Sequence, residues 1–209
     1  MSVGAGGTYE TVVAALSALS NETDITIKLT GSVTESQDIT ISPNKTVAID
    51  LAGYTLTMAE DKIITILPEG KLDLRNSSKS MGGKLITQNA VIPTAPGENS
   101  TGIYNEGTFV AESVAIEGKY GLIWNKPGSK CTINGGDLKV NESAANDNVR
   151  YAAIRNQGGA VVLDNIYLTA PMTGIYQSTG TLKGTDLMVQ SDWYGIYTQA
   201  CLLYTSRCV

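Results

Sequence analysis

One short phrase returns five times between Thr101 and Ala200, and it constrains this chain more than any other feature. It reads Gly102-Ile103-Tyr104, Gly121-Leu122-Ile123-Trp124, Ala153-Ile154-Arg155, Gly174-Ile175-Tyr176 and Gly195-Ile196-Tyr197. The intervals between the first residues are 19, 32, 21 and 21, the 32 being one unit that carries an insertion. Recurrence near ~20 residues indicates a solenoid, in which each coil buries its apolar face only against its neighbours.

Within one repeat the grammar is β. The phrase is followed by a polar turn (Asn105-Glu106-Gly107, Asn125-Lys126-Pro127-Gly128, Asn156-Gln157-Gly158-Gly159, Gln177-Ser178-Thr179-Gly180) and then by a second short apolar run such as Thr108-Phe109-Val110 or Cys131-Thr132-Ile133. A small corner leads into a third run, as in Val114-Ala115-Ile116 or Leu187-Met188-Val189. Alternating apolar residues put one side of each strand inward, and Gly or Asn tolerates the left-handed angles of corners. The reading is all-β: a right-handed parallel β-helix of about 20 residues and three strands per coil. No Leu-x-x-Leu-x-Leu phrase of a leucine-rich repeat is present, and a sandwich would not return one phrase at one offset.

Ahead of the strands, Thr8–Leu19 carries apolar Tyr9, Val12, Val13, Leu16 and Leu19 at helical spacing. Thr8 is the expected N-cap and Ser20-Asn21 the expected stop. Such a helix caps the open end of a solenoid. The expected organisation is a capping helix over 1–24, a β-helix over 25–200 with loops at Ala90–Ser100 and Glu142–Val149, and a non-native tail over 201–209. Those last nine residues, Cys201 to Val209, break the repeat in mid-coil. They resemble a translated sequencing adapter, a transposon mosaic end running into its own reverse complement. The chain is therefore expected to be truncated after Ala200, with an uncapped last coil through which copies associate edge to edge.

Composition narrows the function classes. A formal charge of −5 without basic clusters argues against a nucleic-acid partner. No apolar run approaches the roughly 20 residues of a membrane span, so no membrane insertion is expected. Met1-Ser2-Val3-Gly4 lacks the regions of a signal peptide, and any export signal is expected outside this chain. With no histidine at all, neither a Ser-His nor a Cys-His nucleophile pair is available. Once the tail is set aside, Cys131 is the one native cysteine, expected in the core rather than in a disulfide or metal site.

The stretch Thr8–Leu16, then Ile25–Leu29, then Val47–Thr57 (Val-Ala-Ile-Asp-Leu-Ala-Gly-Tyr-Thr-Leu-Thr) resembles the opening of right-handed β-helix proteins of the pectin-lyase-like superfamily. It is most similar to repeat-containing surface proteins of gut-type Gram-positive bacteria. The resemblance implies a bacterial extracellular or cell-surface location. The Asn-Thr-Asp, Asp-Asp and His-Gly motifs of β-helix polygalacturonases are missing, and Arg75, Arg150 and Arg155 sit in no lyase motif. A non-catalytic module for adhesion or glycan binding is the leading reading. The alternative is a fragment of a polysaccharide-degrading enzyme or phage tail spike whose active site lies outside this chain. A plain spacer stalk is the third.

Three files of side chains follow from the repeat. If the isoleucines face in, then Tyr104, Arg155, Tyr176 and Tyr197 face out, with Trp124 joining them. Flat rings beside outward glycines make a platform for sugar rings, with Arg155 offered to a carboxylate, and the expected partner is a polysaccharide or host-surface glycan. Aromatic pairs that merely stabilise neighbouring strands are the plainer explanation. The acids Glu112, Asp137, Asp164 and Asp186 recur at the corner before the third strand. Stacked, they would share a calcium ion, but turn chemistry alone accounts for acids there. No other cofactor is expected. Asn105, Asn125, Asn156 and Gln177 are expected to stack as a structural amide ladder.

Overall fold

The computed structural model describes residues 1–89, 101–142 and 152–199. The expected loop over 90–100, all but Glu142 of that over 142–149, the boundary at Ala200 and the tail over 201–209, including Cys201 and Cys208, lie outside the described residues. Among the described residues the chain is all-β apart from one short helix.

It opens with β1 (Ser2–Val3) and α1 (Val12–Ala18), then β2 (Asp24–Leu29), β3 (Val33–Glu35) and β4 (Ile39–Ile41). There follow β5 (Thr46–Asp50), β6 (Thr55–Met58), β7 (Ile64–Ile66), β8 (Lys71–Arg75) and β9 (Gly83–Thr87). Beyond the first undescribed loop come β10 (Thr101–Asn105), β11 (Thr108–Glu112), β12 (Val114–Gly118), β13 (Gly121–Asn125) and the long β14 (Lys130–Val140). The last are β15 (Ile154–Ala170), β16 (Thr173–Ser191) and β17 (Tyr194–Thr198). All belong to one sheet, and it curls into a half-barrel compatible with a β-helix-like solenoid.

Every pairing is parallel and falls on one of three lines. On the first, β2, β5, β8 and β11 pair in succession and continue into the opening halves of β14 and the middles of β15 and β16. On the second, β3, β6, β9 and β12 continue into the closing parts of the same three long strands. On the third, β4, β7, β10 and β13 lead into the starts of β15 and β16 and then β17. The long strands run through their corners, where Gly135, Asn165 and Asp186 adopt φ of 70°, 52° and 47°, and the corresponding corner between β11 and β12 is Ser113, at φ 55°.

Register explains the core. Ile25, Val47, Leu72, Phe109, Cys131, Val161 and Leu182 are successive partners on the first line. Val33, Leu56, Leu85, Ile116, Leu138, Leu168 and Val189 do the same on the second. Ile39, Ile64, Ile103, Ile123, Ile154, Ile175 and Ile196 do so on the third. Because side chains alternate across a strand, an in-register parallel stack puts like on like and makes one continuous apolar interior. Only towards β16 and β17 does it open, with Leu182, Leu187, Val189 and Ile196 partly buried.

The helix differs from the sequence expectation. It begins after Thr11, whose Oγ1 accepts from Ala14 N, and not after Thr8. Thr8 is held elsewhere: its N–H donates to Ser2 O and Ser2 Oγ, while Gly4 N donates back to Tyr9 O. Residues 2–9 therefore form a tight loop closed by a parallel bridge between Val3 and Tyr9, and its first strand pairs with β2, through Ser2 with Lys28 and Val3 with Leu29. Hydrophobic spacing cannot foresee this, since Val3 and Tyr9 satisfy both patterns. Glu35, 1% exposed, fastens the helix from below, accepting from Val12 N and, at 3.5 Å, from Val13 N.

Candidate functional site

The third pairing line carries the aromatic file. Tyr104 pairs with Trp124, Trp124 with Arg155, Arg155 with Tyr176, and Tyr176 with Tyr197. The isoleucine preceding each points to the core, so these five share the outer side of one line of strands. Tyr104 and Trp124 meet edge to face with ring centroids 5.4 Å apart, and Tyr176 and Tyr197 stack at 5.9 Å. The Arg155 guanidinium lies against the first pair, its Cζ 4.4 Å from the Trp124 ring centroid, and Arg155 is the register partner of Tyr176 in the second.

Exposure divides the file. Tyr104, Arg155 and Tyr197 are half-buried, whereas Trp124 is only 3% and Tyr176 6% exposed. Trp124 Nε1 donates to Gln157 Oε1 at 2.8 Å, and Tyr176 OH to Gln199 Oε1 at 2.9 Å. The central rings are thus built into the wall, and accessible aromatic surface gathers at the far end. There Tyr194 lies 5.2 Å from Tyr197, and Tyr194 and the adjoining Trp193 are about half exposed.

Sequence reasoning missed three participants. Lys126 brings its ammonium 4.4 Å from Trp124 and 5.4 Å from Tyr104. It sits two positions after Trp124, hence on the same side of the extended chain, and that spacing was the available signal. Trp193 and Tyr194 fall outside the repeating phrase and left no such signal.

Two glycines of the phrase, Gly102 and Gly174, are not the floor of a platform, whereas a Cβ on Gly195 would come no closer than 3.9 Å to its neighbours. A Cβ on Gly102 would fall 2.1 Å from Thr87 Cβ, and one on Gly174 would fall 2.3 Å from Val189 Cγ1. At Gly102 the end of β9 occupies that space and at Gly174 the later part of β16 does, so glycine is required at these two positions by the close approach of the chain to itself.

The amide ladder is present and buried. Asn105 Nδ2 donates to Asn125 Oδ1 at 2.7 Å, Asn125 Nδ2 to Asn156 Oδ1 at 3.0 Å, and Asn156 Nδ2 to Gln177 Oε1 at 2.7 Å. Each asparagine Nδ2 also reaches the carbonyl that begins the first-line strand of the next coil, at Lys130, Ala160 and Thr181. In the two preceding coils the same register position holds Ile66 and Ile41.

The four corner acids do not form one file. Glu112 and Asp164 immediately precede the left-handed corner residue, Asp186 is itself that residue, and Asp137 lies beyond it. Register alternates Glu112, Asn134, Asp164 and Thr185, while Asp137 pairs with Tyr167. Glu112 instead ends a column of alternating charge, Lys28, Asp50, Arg75 and Glu112, in which each neighbour has the opposite sign. At Asp50, burial pushes the carboxyl up. Hydrogen bonds from Ser77 Oγ, Ser77 N and Ala52 N, with the Lys28 charge, outweigh it and hold the group below its usual value. Among the described residues no three Cys, Asp or Glu side chains converge as a metal-binding group. Cys131 is buried and its thiol is pushed up to about 12 by that burial, so it is inert packing.

No helix among the described residues is long and apolar enough to cross a membrane. Comparison with protein-family models, with curated proteins and with solved structures finds no match.

Proposed function

We propose that this chain is a non-catalytic, extracellular or cell-surface module, a right-handed parallel β-helix of about 20 residues and three strands per coil capped by α1, which binds glycans on the outer side of its third strand line. The observation that carries this reading is the aromatic file: five side chains in unbroken register, rigidified by stacking and cation–π contacts, and open to solvent at the Trp193, Tyr194 and Tyr197 end. Rings held against one another, as Tyr197 is against Tyr176 and Tyr194, lose little conformational freedom on contact with a sugar, which lowers the cost of binding. The sequence resemblance to bacterial surface β-helix proteins points the same way.

The test is retention of the full chain on immobilised neutral and acidic polysaccharides, with a Tyr194→Ala, Tyr197→Ala variant beside it. Retention that falls about tenfold, a loss of ~1.4 kcal/mol, in a variant that still folds is the expected result. Equal retention of parent and variant on every polymer removes the file from the reading, and no retention by the parent leaves a spacer.

A further inference from the structure

A second depression lies on the outer side of the second strand line, away from the aromatic file. Its floor is Ala115, which precedes Ile116 on β12 as Asp137 precedes Leu138, the register partner of Ile116 on β14. The same column continues from Lys84 through Ala115 towards Tyr167, since Lys84 pairs with Ala115 and Asp137 with Tyr167. The alanine methyl lies between Lys84 and Asp137, with Tyr167 one strand beyond, and leaves a gap of about 250 Å³ bounded at the side by Glu117 and Lys139. That is below the roughly 300–1,000 Å³ of a drug-sized pocket, and of a size for one sugar ring.

The chemistry of the wall selects among ligands. Lys84 Nζ pairs with Glu117 Oε1 at 2.8 Å, and Glu117 is also the register partner of Lys139. Two ammonium and two carboxylate groups cancel, so a charged ligand meets a like charge wherever it enters. A polyol meets donors and acceptors together, and each of its hydroxyls can do both. Tyr167 supplies the apolar face: its ring is 40% exposed, and its hydroxyl is anchored to Gln190 Oε1. An aromatic ring held at the edge of a charge-balanced, small-floored groove is the arrangement that recognises an uncharged hexose.

We infer that this groove is a second binding site, one that takes a neutral hexose unit of an oligosaccharide, with Tyr167 as the stacking residue and Ala115 as the specificity-determining floor. It deepens the glycan-binding reading by adding a ligand class and a separate face. The probes are cellohexaose, mannohexaose and maltohexaose, with trigalacturonate as the anionic comparison, titrated calorimetrically into the full chain. Variants are Tyr167→Ala, Ala115→Leu and, for the other face, Tyr197→Ala; each is checked against the parent urea midpoint. Both groove side chains point outward, and the two substitutions act oppositely (one removes the ring, the other fills the gap), so a fold defect in one leaves the other informative.

The expected result is binding of at least one neutral hexaose with a component that is weakened about tenfold by Tyr167→Ala and by Ala115→Leu and that persists in Tyr197→Ala, which removes only the contribution of the aromatic file. Neutral binding that is lost in Tyr197→Ala but kept in both groove variants overturns the groove and leaves the aromatic file standing. Trigalacturonate binding more tightly than every neutral probe, with Tyr167 dependence, overturns the ligand class. No binding of any probe overturns the inference and the glycan-binding reading together.

Discussion

Replacing Asn125 by alanine removes the middle rung of the buried amide ladder, and its cost can be worked from the structure. Three short hydrogen bonds disappear, from Asn105 Nδ2 at 2.7 Å, from Ser129 Oγ at 2.7 Å and to Asn156 Oδ1 at 3.0 Å, together with a long contact to Ala160 O at 3.5 Å that adds little. None of the three partners is left bare. Asn105 Nδ2 keeps Lys130 O at 2.9 Å, Ser129 Oγ keeps Lys126 O at 2.6 Å, and Asn156 Oδ1 keeps Gly159 N at 3.2 Å. The full desolvation penalty of an orphaned group therefore does not apply, and each lost bond counts at its net worth of ~1 kcal/mol. The sum is about 3 kcal/mol, or roughly two orders of magnitude in the folding equilibrium. Urea unfolding followed by circular dichroism reads it as a lower midpoint at unchanged slope. Asn134→Ala, an exposed asparagine on the first strand line and outside the ladder, is the control, expected within about 0.5 kcal/mol of the parent. Asn125→Asp adds a second readout. Ionised, it has no donor for Asn156 Oδ1; protonated, it regains one, so its deficit shrinks as the pH falls. A midpoint for Asn125→Ala indistinguishable from that of Asn134→Ala would refute the claim that the ladder, rather than the apolar stack beside it, holds this corner.

Two further outcomes follow from local geometry. Burial pushes the Glu35 carboxyl above its ordinary 4.5, against the lowering effect of the Val12 and Val13 N–H groups. The folded protein thus holds that proton more tightly than the unfolded chain, and stability should rise as the pH drops from above the folded value towards 4.5 and gain nothing more from this group below it. Glu35→Gln keeps an acceptor for Val12 N, so thermal melts across that range should lose this slope; an unchanged slope assigns the pH dependence elsewhere. Gly102→Ala should destabilise by about 1–3 kcal/mol through overpacking against Thr87. Gly128→Ala, at φ 82° with nothing within 4 Å of the new methyl, should cost about 1 kcal/mol, backbone strain alone; equal urea midpoints for the two would contradict the close approach at Thr87.

What was legible in the sequence was whatever the chain repeats. Ile103, Ile123, Ile154, Ile175 and Ile196 recur because each must cover the one before, and the same necessity made Asn105, Asn125, Asn156 and Gln177 visible as a ladder. Exposure was not legible. Alternation assigns Trp124 to the outer side, and it is there, but Lys126, Arg155 and Gln157 fold over it, and no periodicity encodes what neighbours do with long side chains. The glycines before the isoleucines read as a smooth outer strip because a sequence does not reveal that Thr87 and Val189 come from behind to fill their space. The corner acids look alike in one dimension, yet one residue of difference in position separates Asp164 from Asp186 across a left-handed bend. Thr8 and Thr11 are equivalent as caps until Ser2 claims the first of them.

The amide ladder has a direction. Every link donates from the earlier coil to the later one, and it starts where Asn105 succeeds Ile66 in register. That polarity limits how such a chain can lengthen by duplication of its coils. A copied unit bearing Asn125 or Asn156, inserted within the amide run, accepts from the coil before and donates to the coil after, so one more link is added and nothing is orphaned. A copied unit bearing Ile41 or Ile66, inserted at the same place, severs the series: the asparagine ahead of it loses an acceptor, and the one behind it loses a donor. Growth by repetition is therefore tolerated on each side of the Ile66–Asn105 junction with that side's own kind of coil, and the junction itself stays single.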